Sequence, residues 1–140
     1  MEPGPTVTDG PAYEFSVEVP LDAAAAGARV RDLLREEGFG VLTEIDVRET
    51  MRRRLDVEFR PYTILGACNP SLAHRALVAE PGVGVLLPCN VVVEEAGPGR
   101  SRIRFMEPLA ALSLVGGGAV EEVAREASER LHRVAGRLAT

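Results

Sequence analysis

Tryptophan and lysine are absent from this chain of 140 residues, and aromatic residues make up only 4% of it. The hydrophobic core is therefore predicted to consist mainly of Val, Leu, Ile and Ala side chains. Arginine is the basic residue throughout, which indicates a compositional bias of the genome. The net charge is −5, so the chain lacks the excess of basic residues that binds a nucleic-acid backbone. No nucleic-acid partner is therefore expected.

Long apolar runs and a secretion signal are also missing. No segment approaches the roughly 18–20 apolar residues that cross a bilayer. The start, MEPGPTVTDGPAYE, has no charged region followed by an apolar stretch. We therefore expect a bacterial protein of the cytoplasm with no membrane partner. The two cysteines are expected to be free thiols, because the cytoplasm is a reducing compartment.

The length fits one domain that buries a core without disulfides or metals. Residues 1–11 contain three prolines and two glycines, and they predict a flexible N-terminal tail before a single domain over 12–140. Alternating apolar residues predict strands at 13–19, 41–47, 62–68, 83–94 and 101–106. Helical spacing and capping residues predict helices that begin near Asp22, near Thr50, near Ser71 and after Gly118.

The order of these elements predicts an α+β fold, with a mainly antiparallel sheet and helices packed on one face. Pro88 lies within the fourth predicted strand and cannot donate a ladder hydrogen bond, which indicates a sheet edge or a bulge at this point. The apolar run 109–115 is too short to assign by its period, and it fits either a helical turn or a short strand.

Three stretches of the chain carry a resemblance to a known family: GFGVLTEIDV (38–47), YTILGACNPSLAHRAL (62–77) and VGVLLPCNVVV (83–93). They are similar to the signature segments of domain of unknown function 302, also called the TT1751-like superfamily. The resemblance covers roughly residues 13–138. It implies a TBP-like α+β fold of core order β-α-β(4)-α, a tendency to form homodimers, and no established activity. The chain departs from the family before its last helix, where Gly116–Gly118 stands in place of a frequent Asn-Pro pair.

A Cys-Asn pair occurs twice, as Cys68-Asn69 and Cys89-Asn90, and these four residues are candidates for binding a ligand. Cys68 precedes a helix that Asn69 is predicted to cap, where amides and the helix dipole favour a thiolate. The alternative for Cys68 is a small apolar residue at a strand end. Cys89 follows Pro88 and is either turned towards a site by a bulge or part of the core. Asn69 and Asn90 each either bond to nearby backbone or bind a ligand.

Cys68, Cys89 and His74 form a candidate metal site if the third and fourth strands are neighbours. Two Cys and one His suit a soft ion such as Cu(I), or Zn with an added ligand. The alternative for His74 is the helix surface, and His132 on the last helix is expected to face solvent. The motifs GxSxG, GxxxxGK(S/T) and GxGxxG after a strand are missing, so no catalytic residue and no cofactor is identified.

Three functions are compatible with these features. The first is a non-enzymatic homodimeric module that binds a small molecule or another partner. The second is a thiol or soft-metal-binding protein that uses Cys68 with Cys89 and His74, and the third is an enzyme of unrecognised type. A homodimer is expected because the apolar fourth strand over 83–94 leaves surface that a second chain covers.

Overall fold

The structure is a computed structural model that describes residues 6–10 and 12–139. Its strands are β1 Val7–Asp9, β2 Glu14–Val19, β3 Gly40–Asp46, β4 Tyr62–Cys68, β5 Cys89–Gly97 and β6 Arg100–Met106. Its helices are α1 Ala23–Glu36, α2 Val47–Leu55, α3 Pro70–Ala79, α4 Pro108–Ala111 and α5 Gly118–Leu138, with 3₁₀ turns at Pro81–Leu86 and Leu112–Leu114. Neighbouring strands all pair antiparallel, in the order β1-β2-β6-β5-β4-β3.

One face of the sheet is covered by α1 and α5. Phe15 of β2 lies opposite Phe105 of β6, and their rings stack with centroids 5.1 Å apart. Residues opposite each other share a face, so these rings and their neighbours on β4 and β5 form one layer of the core. The helix residues buried against this layer are Ala26, Val30, Leu33 and Leu34 of α1, and Val120, Val123, Ala124, Ala127, Leu131, Val134, Ala135 and Leu138 of α5. The predicted α+β fold, with helices packed on an antiparallel sheet, is confirmed.

The chain passes from β3 into α2 at Asp46, earlier than the sequence pattern predicts. The Asp46 carboxylate accepts a hydrogen bond from the Glu49 amide at 2.9 Å, and its backbone oxygen accepts one from Thr50 Oγ1 at 2.8 Å. A capping aspartate starts a helix at the next residue. The helix therefore begins at Val47 rather than at Thr50, and the predicted strand end at Val47 is one residue too late.

The prediction of a strand over residues 83–94 is wrong for its first half. Residues Pro81–Leu86 form a 3₁₀ turn, in which Glu80 accepts a hydrogen bond from the Gly82 amide at 3.3 Å. The strand begins only at Cys89, directly after Pro88. It then pairs with β4 on one side and β6 on the other, so it is a central strand and not a sheet edge.

Val7–Asp9 form a strand, although this segment belongs to the predicted flexible tail. Val7 pairs with Val17, so β1 adds an edge strand beside β2. Pairing with an existing strand orders a segment that has little apolar content of its own. Residues 1–5 and 11 of the predicted tail lie outside the described residues.

The run 109–115 is helical, which decides between the two interpretations of the sequence. Glu107 caps α4 by accepting a hydrogen bond from the Leu109 amide at 3.4 Å, and Pro108 occupies the first helical position. The 3₁₀ turn that follows buries Leu112 and leads into α5.

Candidate ligand-binding site

An apolar cavity of about 320 Å³ lies at the end of the sheet where β4 finishes and β5 begins. The floor is made by these strand ends, and the walls are the facing sides of α3 and α5. The space stays open because the two helices present small side chains to it, among them Ala73, Ala76 and Ala127. The residues of the inner wall are Phe39, Leu72, Ala76, Cys89, Val123 and Ala127.

Cys68 and Cys89 both line this cavity. The antiparallel register places Cys89 opposite Ala67, the residue before Cys68, so the two cysteines lie at diagonal positions on neighbouring strands. Both are free thiols. The two strands are therefore neighbours, which is the condition that the sequence reasoning set for the two cysteines to converge.

The chemistry of the two thiols differs from the expectation. Burial raises the pKa of the Cys89 thiol to about 11, and the nearby charge of an ionised Cys68 adds to the rise. Burial also raises the pKa of Cys68. This rise is opposite in direction to the lowering that a Cys68 thiolate stabilised by the α3 dipole would show, and burial is its cause. Both thiols are neutral near pH 7 and are poor nucleophiles.

Asn69 and Thr43 are polar residues of the cavity wall, and only 9% of Asn69 is exposed. Its Oδ1 accepts a hydrogen bond from the Leu72 amide at 3.2 Å, which confirms the predicted cap of α3. Among the described residues, Nδ2 has no hydrogen-bond partner, yet it is not sealed inside the core. A Cβ atom at Gly38 would stand 2.9 Å from Nδ2, and glycine also suits the φ of +85° there. The amide nitrogen of Asn69 therefore lies beside Gly38, which is not among the residues that line the cavity.

Asn90 lies on the other side of the sheet, away from α1 and α5. It pairs with Gly66 and is exposed. It lines a shallow basin of about 530 Å³ on this open face, together with Glu94 and Arg104. The four predicted ligand residues are therefore split, with Cys68, Asn69 and Cys89 in the cavity and Asn90 in the basin.

The basin is larger than the cavity, but its charges are used within the protein. Glu94 accepts hydrogen bonds from Arg60 Nε at 2.9 Å and from Arg104 Nε at 2.5 Å, and Arg104 also donates to Glu14 at 2.7 Å. Burial alone would raise the pKa of Glu94, but the two arginines hold it below its ordinary value. Two arginines and two glutamates balance, so this network leaves no spare charge for a ligand.

His74 does not join the cysteines. It lies on the outer side of α3, where it borders Val78 of its own helix and Glu122 of α5. Over residues 6–10 and 12–139, no three His, Cys, Asp or Glu side chains are grouped so that they could hold a metal ion. The predicted Cys68, Cys89 and His74 cluster is therefore not formed, because the helix turns His74 away from the cavity.

A polar cluster around Glu107 was missed by the sequence reasoning. Its carboxylate accepts a hydrogen bond from Ser128 Oγ at 2.8 Å, and its other oxygen lies 2.9 Å from His132 Nε2. The His132 ring stacks on Phe15 with centroids 3.7 Å apart, while 40% of its side chain remains exposed to solvent. Both partners bond to the carboxylate rather than to each other, so they do not form a nucleophile with its base. The i, i+4 spacing of Ser128 and His132 on α5 was the available signal.

The fold and the cavity define a small α+β domain with a buried apolar site and neutral thiols. A sequence model of the family described as Domain of unknown function DUF302 matches residues 15–138, and the chain belongs to this family. It is also similar to a crystal structure of an uncharacterized conserved protein DUF302 from Bacillus stearothermophilus. That similarity has 30% identity and a TM-score of 0.82, and it covers 91% of this chain and 98% of the other.

No curated protein matches the chain. In the part of the chain that the structure describes, no helix has both the length and the apolar character needed to cross a membrane.

Proposed function

We propose that this protein is a non-enzymatic module that binds a small ligand in the cavity between α3 and α5, and that it acts as a homodimer. The observation that carries the proposal is a largely apolar space of about 320 Å³ whose wall includes the two polar residues Thr43 and Asn69. Ligand sites are typically concave and mostly apolar with a few placed polar groups. The thiols of Cys68 and Cys89 are held neutral, which favours binding over nucleophilic chemistry.

Binding to the cavity is tested with toluene as an apolar probe, followed by two-dimensional NMR of the isotope-labelled protein. We expect saturable shifts at the amides of Cys89 and Val123, which line the cavity. Ala73→Leu places a larger side chain at the cavity wall, and it should weaken binding about tenfold or more. Ala79→Leu, on the same helix but outside the cavity, is the control and should bind as the native chain does. Toluene shifts that do not saturate, or that Ala73→Leu leaves unchanged, would contradict the proposal.

The homodimer is proposed on a different surface from the one the sequence indicated. Val91 and Val93 of β5 are buried under the helices, so the apolar face of this strand is already covered within the chain. Large apolar side chains are instead exposed on β3 and α2: Leu42 is 69%, Ile45 50% and Leu55 64% exposed. Apolar clusters of this kind favour a protein interface.

Sedimentation velocity at micromolar concentration tests the homodimer. We expect a dimer for the native chain and a monomer for Ile45→Asp, because a buried carboxylate at an interface is costly. Leu114→Asp changes an equally apolar side chain that is 83% exposed on the connection to α5, and it should remain dimeric. A native monomer at these concentrations contradicts the proposal.

We also propose a bacterial cytoplasmic setting and a TBP-like variant of the fold. The two free thiols fit a reducing compartment. Neither a nucleic-acid nor a membrane partner is proposed, because the net charge of −5 repels phosphate groups. Cell fractionation of the native host is the measurement, and recovery in the membrane or the periplasm would contradict this setting.

Soft-metal binding is a second candidate, and it rests on the two thiols that share one cavity, where an ionised Cys68 raises the pKa of Cys89. Two thiolates suit Cu(I) without a third ligand. Each thiol must lose its proton first, and the raised pKa values of Cys68 and Cys89 oppose this step.

Titration with Cu(I) against a competing chelator distinguishes the two candidates. If Cu(I) is the ligand, Cys68→Ser and Cys89→Ser each abolish tight uptake, while His74→Ala has no effect. Uptake that survives both serine variants, or no uptake at all, removes this candidate.

A further inference from the structure

We propose that the basin on the open face of the sheet is a binding site for a neutral sugar, separate from the cavity between α3 and α5. The inference goes beyond the proposed function, because it concerns another surface of the molecule. It is carried by the aromatic side chains around the basin and by the balanced ionic network across it.

The basin belongs to the face of the sheet that α1 and α5 leave uncovered. Along β5, Val91 and Val93 are buried under the helices. Asn90, Val92 and Glu94 alternate with them and therefore belong to the opposite face, where they line the basin. The basin volume of about 530 Å³ lies within the range of about 300–1,000 Å³ that ligand pockets have. The space is therefore large enough for a small ligand.

Both tyrosines of the chain, Tyr13 and Tyr62, line the basin, although aromatic residues make up only 4% of the sequence. Tyr13 is 62% exposed, and Tyr62 is half-buried. Phe59 extends this group, because its ring meets Tyr62 edge-on with centroids 5.9 Å apart. An aromatic face carries partial negative charge, so it attracts the slightly positive C–H groups of a sugar ring. Tyrosines gathered at one place therefore favour a ligand with an apolar face and polar edges.

The charges across the basin balance, which disfavours a charged ligand. Arg60 pairs with Glu94, and Arg104 pairs with both Glu94 and Glu14. An anion has to compete with these carboxylates for the arginines, and a cation has to compete with the arginines for the carboxylates. A hydroxyl group both donates and accepts, so a neutral sugar adds hydrogen bonds to the network without breaking an ion pair.

The network keeps hydrogen-bonding capacity for such hydroxyl groups. Among the described residues, Arg104 bonds to the two glutamates through Nε and Nη1, while Nη2 has no partner. The Arg104 side chain remains 34% exposed. Asn90 is exposed, and its side chain makes no hydrogen bond within residues 6–10 and 12–139. Because two carboxylates already hold Arg104 in place, little further ordering is needed when a ligand binds.

The ligand class is tested with the methyl glycosides of glucose, galactose and mannose. Each is titrated into the isotope-labelled full chain and followed by two-dimensional NMR. We expect at least one of them to cause saturable shifts at the backbone amides of Asn90, Val92 and Glu94. The matching methyl uronide has the same ring with a carboxylate, and it should bind about threefold or more weakly, because its charge loses hydration without a spare cation. Cyclohexylmethanol keeps a six-membered ring with one hydroxyl group and should also bind more weakly.

Three variants locate the ligand. Asn90→Ala removes an exposed side chain and should weaken the best glycoside about threefold to tenfold, which is the contribution of one hydrogen bond. Tyr13→Leu removes an exposed ring but keeps an apolar side chain, and it should weaken binding by a similar factor. Ala73→Leu changes the wall of the cavity instead of the basin, so it is the control and should bind the glycoside as the native chain does.

The outcomes decide the inference independently of the proposed function, which the toluene experiment tests. If no glycoside shifts the basin amides, or if Asn90→Ala and Tyr13→Leu both keep the native affinity, the inference is overturned. The same holds if the uronide or cyclohexylmethanol binds more tightly than the glycoside, or if Ala73→Leu abolishes binding. If the basin amides shift on dilution of the protein alone and no glycoside binds, a second copy of the chain covers the basin, which also overturns the inference.

Discussion

The environment of a single thiol makes part of the stability of this protein depend on pH. In the unfolded chain Cys89 ionises near its ordinary pKa of 9.0, whereas in the folded chain its pKa is about 11. Below about pH 9 the thiol is protonated in both states, and its contribution to stability is fully present. Between these values the unfolded chain loses its proton first, so the free energy of unfolding falls as the pH rises.

Replacement of Cys89 by alanine should remove this dependence. The shift of about two pKa units corresponds to about 3 kcal/mol between pH 8 and pH 11. The difference between native and Cys89→Ala free energies of unfolding, measured in urea, should therefore shrink by an amount of this order as the pH rises. Cys68→Ala is the control and should show a smaller change, because Cys68 is less buried. Parallel pH profiles for the native chain and Cys89→Ala would show that burial does not hold the thiol neutral.

Residue by residue, the sequence predicted which side chains lie near the cavity better than it predicted their chemistry. Asn69 before Pro70 is a local capping signal, and the predicted cap of α3 is confirmed. Such a cap needs no tertiary contact, so the local sequence is enough to predict it. The protonated state of Cys68 was not predictable, because it depends on how α5 closes over the strand ends. Asn90 was grouped with the others by its sequence likeness, but alternation along β5 places it on the opposite face.

At the scale of elements, the pairing of β3 with β4 leaves no room for a side chain at Gly66. Gly66 lies opposite Thr43, just after the bulge that follows Val41. A Cβ atom at Gly66 would collide with Thr43 Oγ1 and stand 3.0 Å from Pro88 Cγ. Thr43 and Pro88 both border the cavity, so this glycine lets the two strand ends meet beside it.

Gly66→Ala should destabilise the protein by about 1–3 kcal/mol, because the added methyl group has to push Thr43 or Pro88 aside. Gly40→Ala, on the neighbouring strand, adds the same group where nothing lies within 4 Å, and it serves as the control. Urea unfolding monitored by circular dichroism gives both values. The prediction fails if the two variants lose the same stability.

Elements with strong local signals were predicted well, and elements made by tertiary contacts were not. The helix α5 follows from its apolar stripe, and α1 from Asp22 with its helical spacing. The segment Pro81–Leu86 has the Val and Leu content of a strand, yet the chain turns there because Pro81 and Gly82 follow the end of α3. The strand β1 forms by pairing with β2, and the local sequence of 7–9 does not predict this tertiary contact.

At the scale of the whole molecule, one ionic network joins parts of the chain that are far apart in sequence. Glu94 of β5 binds Arg60, which precedes β4, and Arg104 of β6, which in turn binds Glu14 of β2. Glu94 is only 4% exposed. Its depressed pKa means that its stabilising contribution is present above pH 4.5 and is lost as the pH falls through the folded-state value.

Glu94→Gln should lower the free energy of unfolding by about 1–3 kcal/mol at neutral pH, because Arg60 and Arg104 lose a charged partner. The loss should shrink as the pH falls below 4.5, since the native carboxyl group is then protonated as well. Glu49→Gln removes an exposed helical pair with Arg52 and is the control, which should cost much less because solvent screens that pair. A native chain and a Glu94→Gln variant that unfold identically at neutral pH would refute this role.

Leu42 belongs both to the border of the cavity and to the exposed edge of β3, where it is 69% exposed. In the proposed homodimer, a partner chain on this edge alters the entrance that the proposed ligand uses. Coupling between two binding events is reciprocal, so whatever factor dimerisation applies to ligand affinity, the ligand applies to dimerisation. If both proposals are correct, occupancy of the cavity and the state of assembly depend on each other, and a change in the concentration of ligand or protein shifts both.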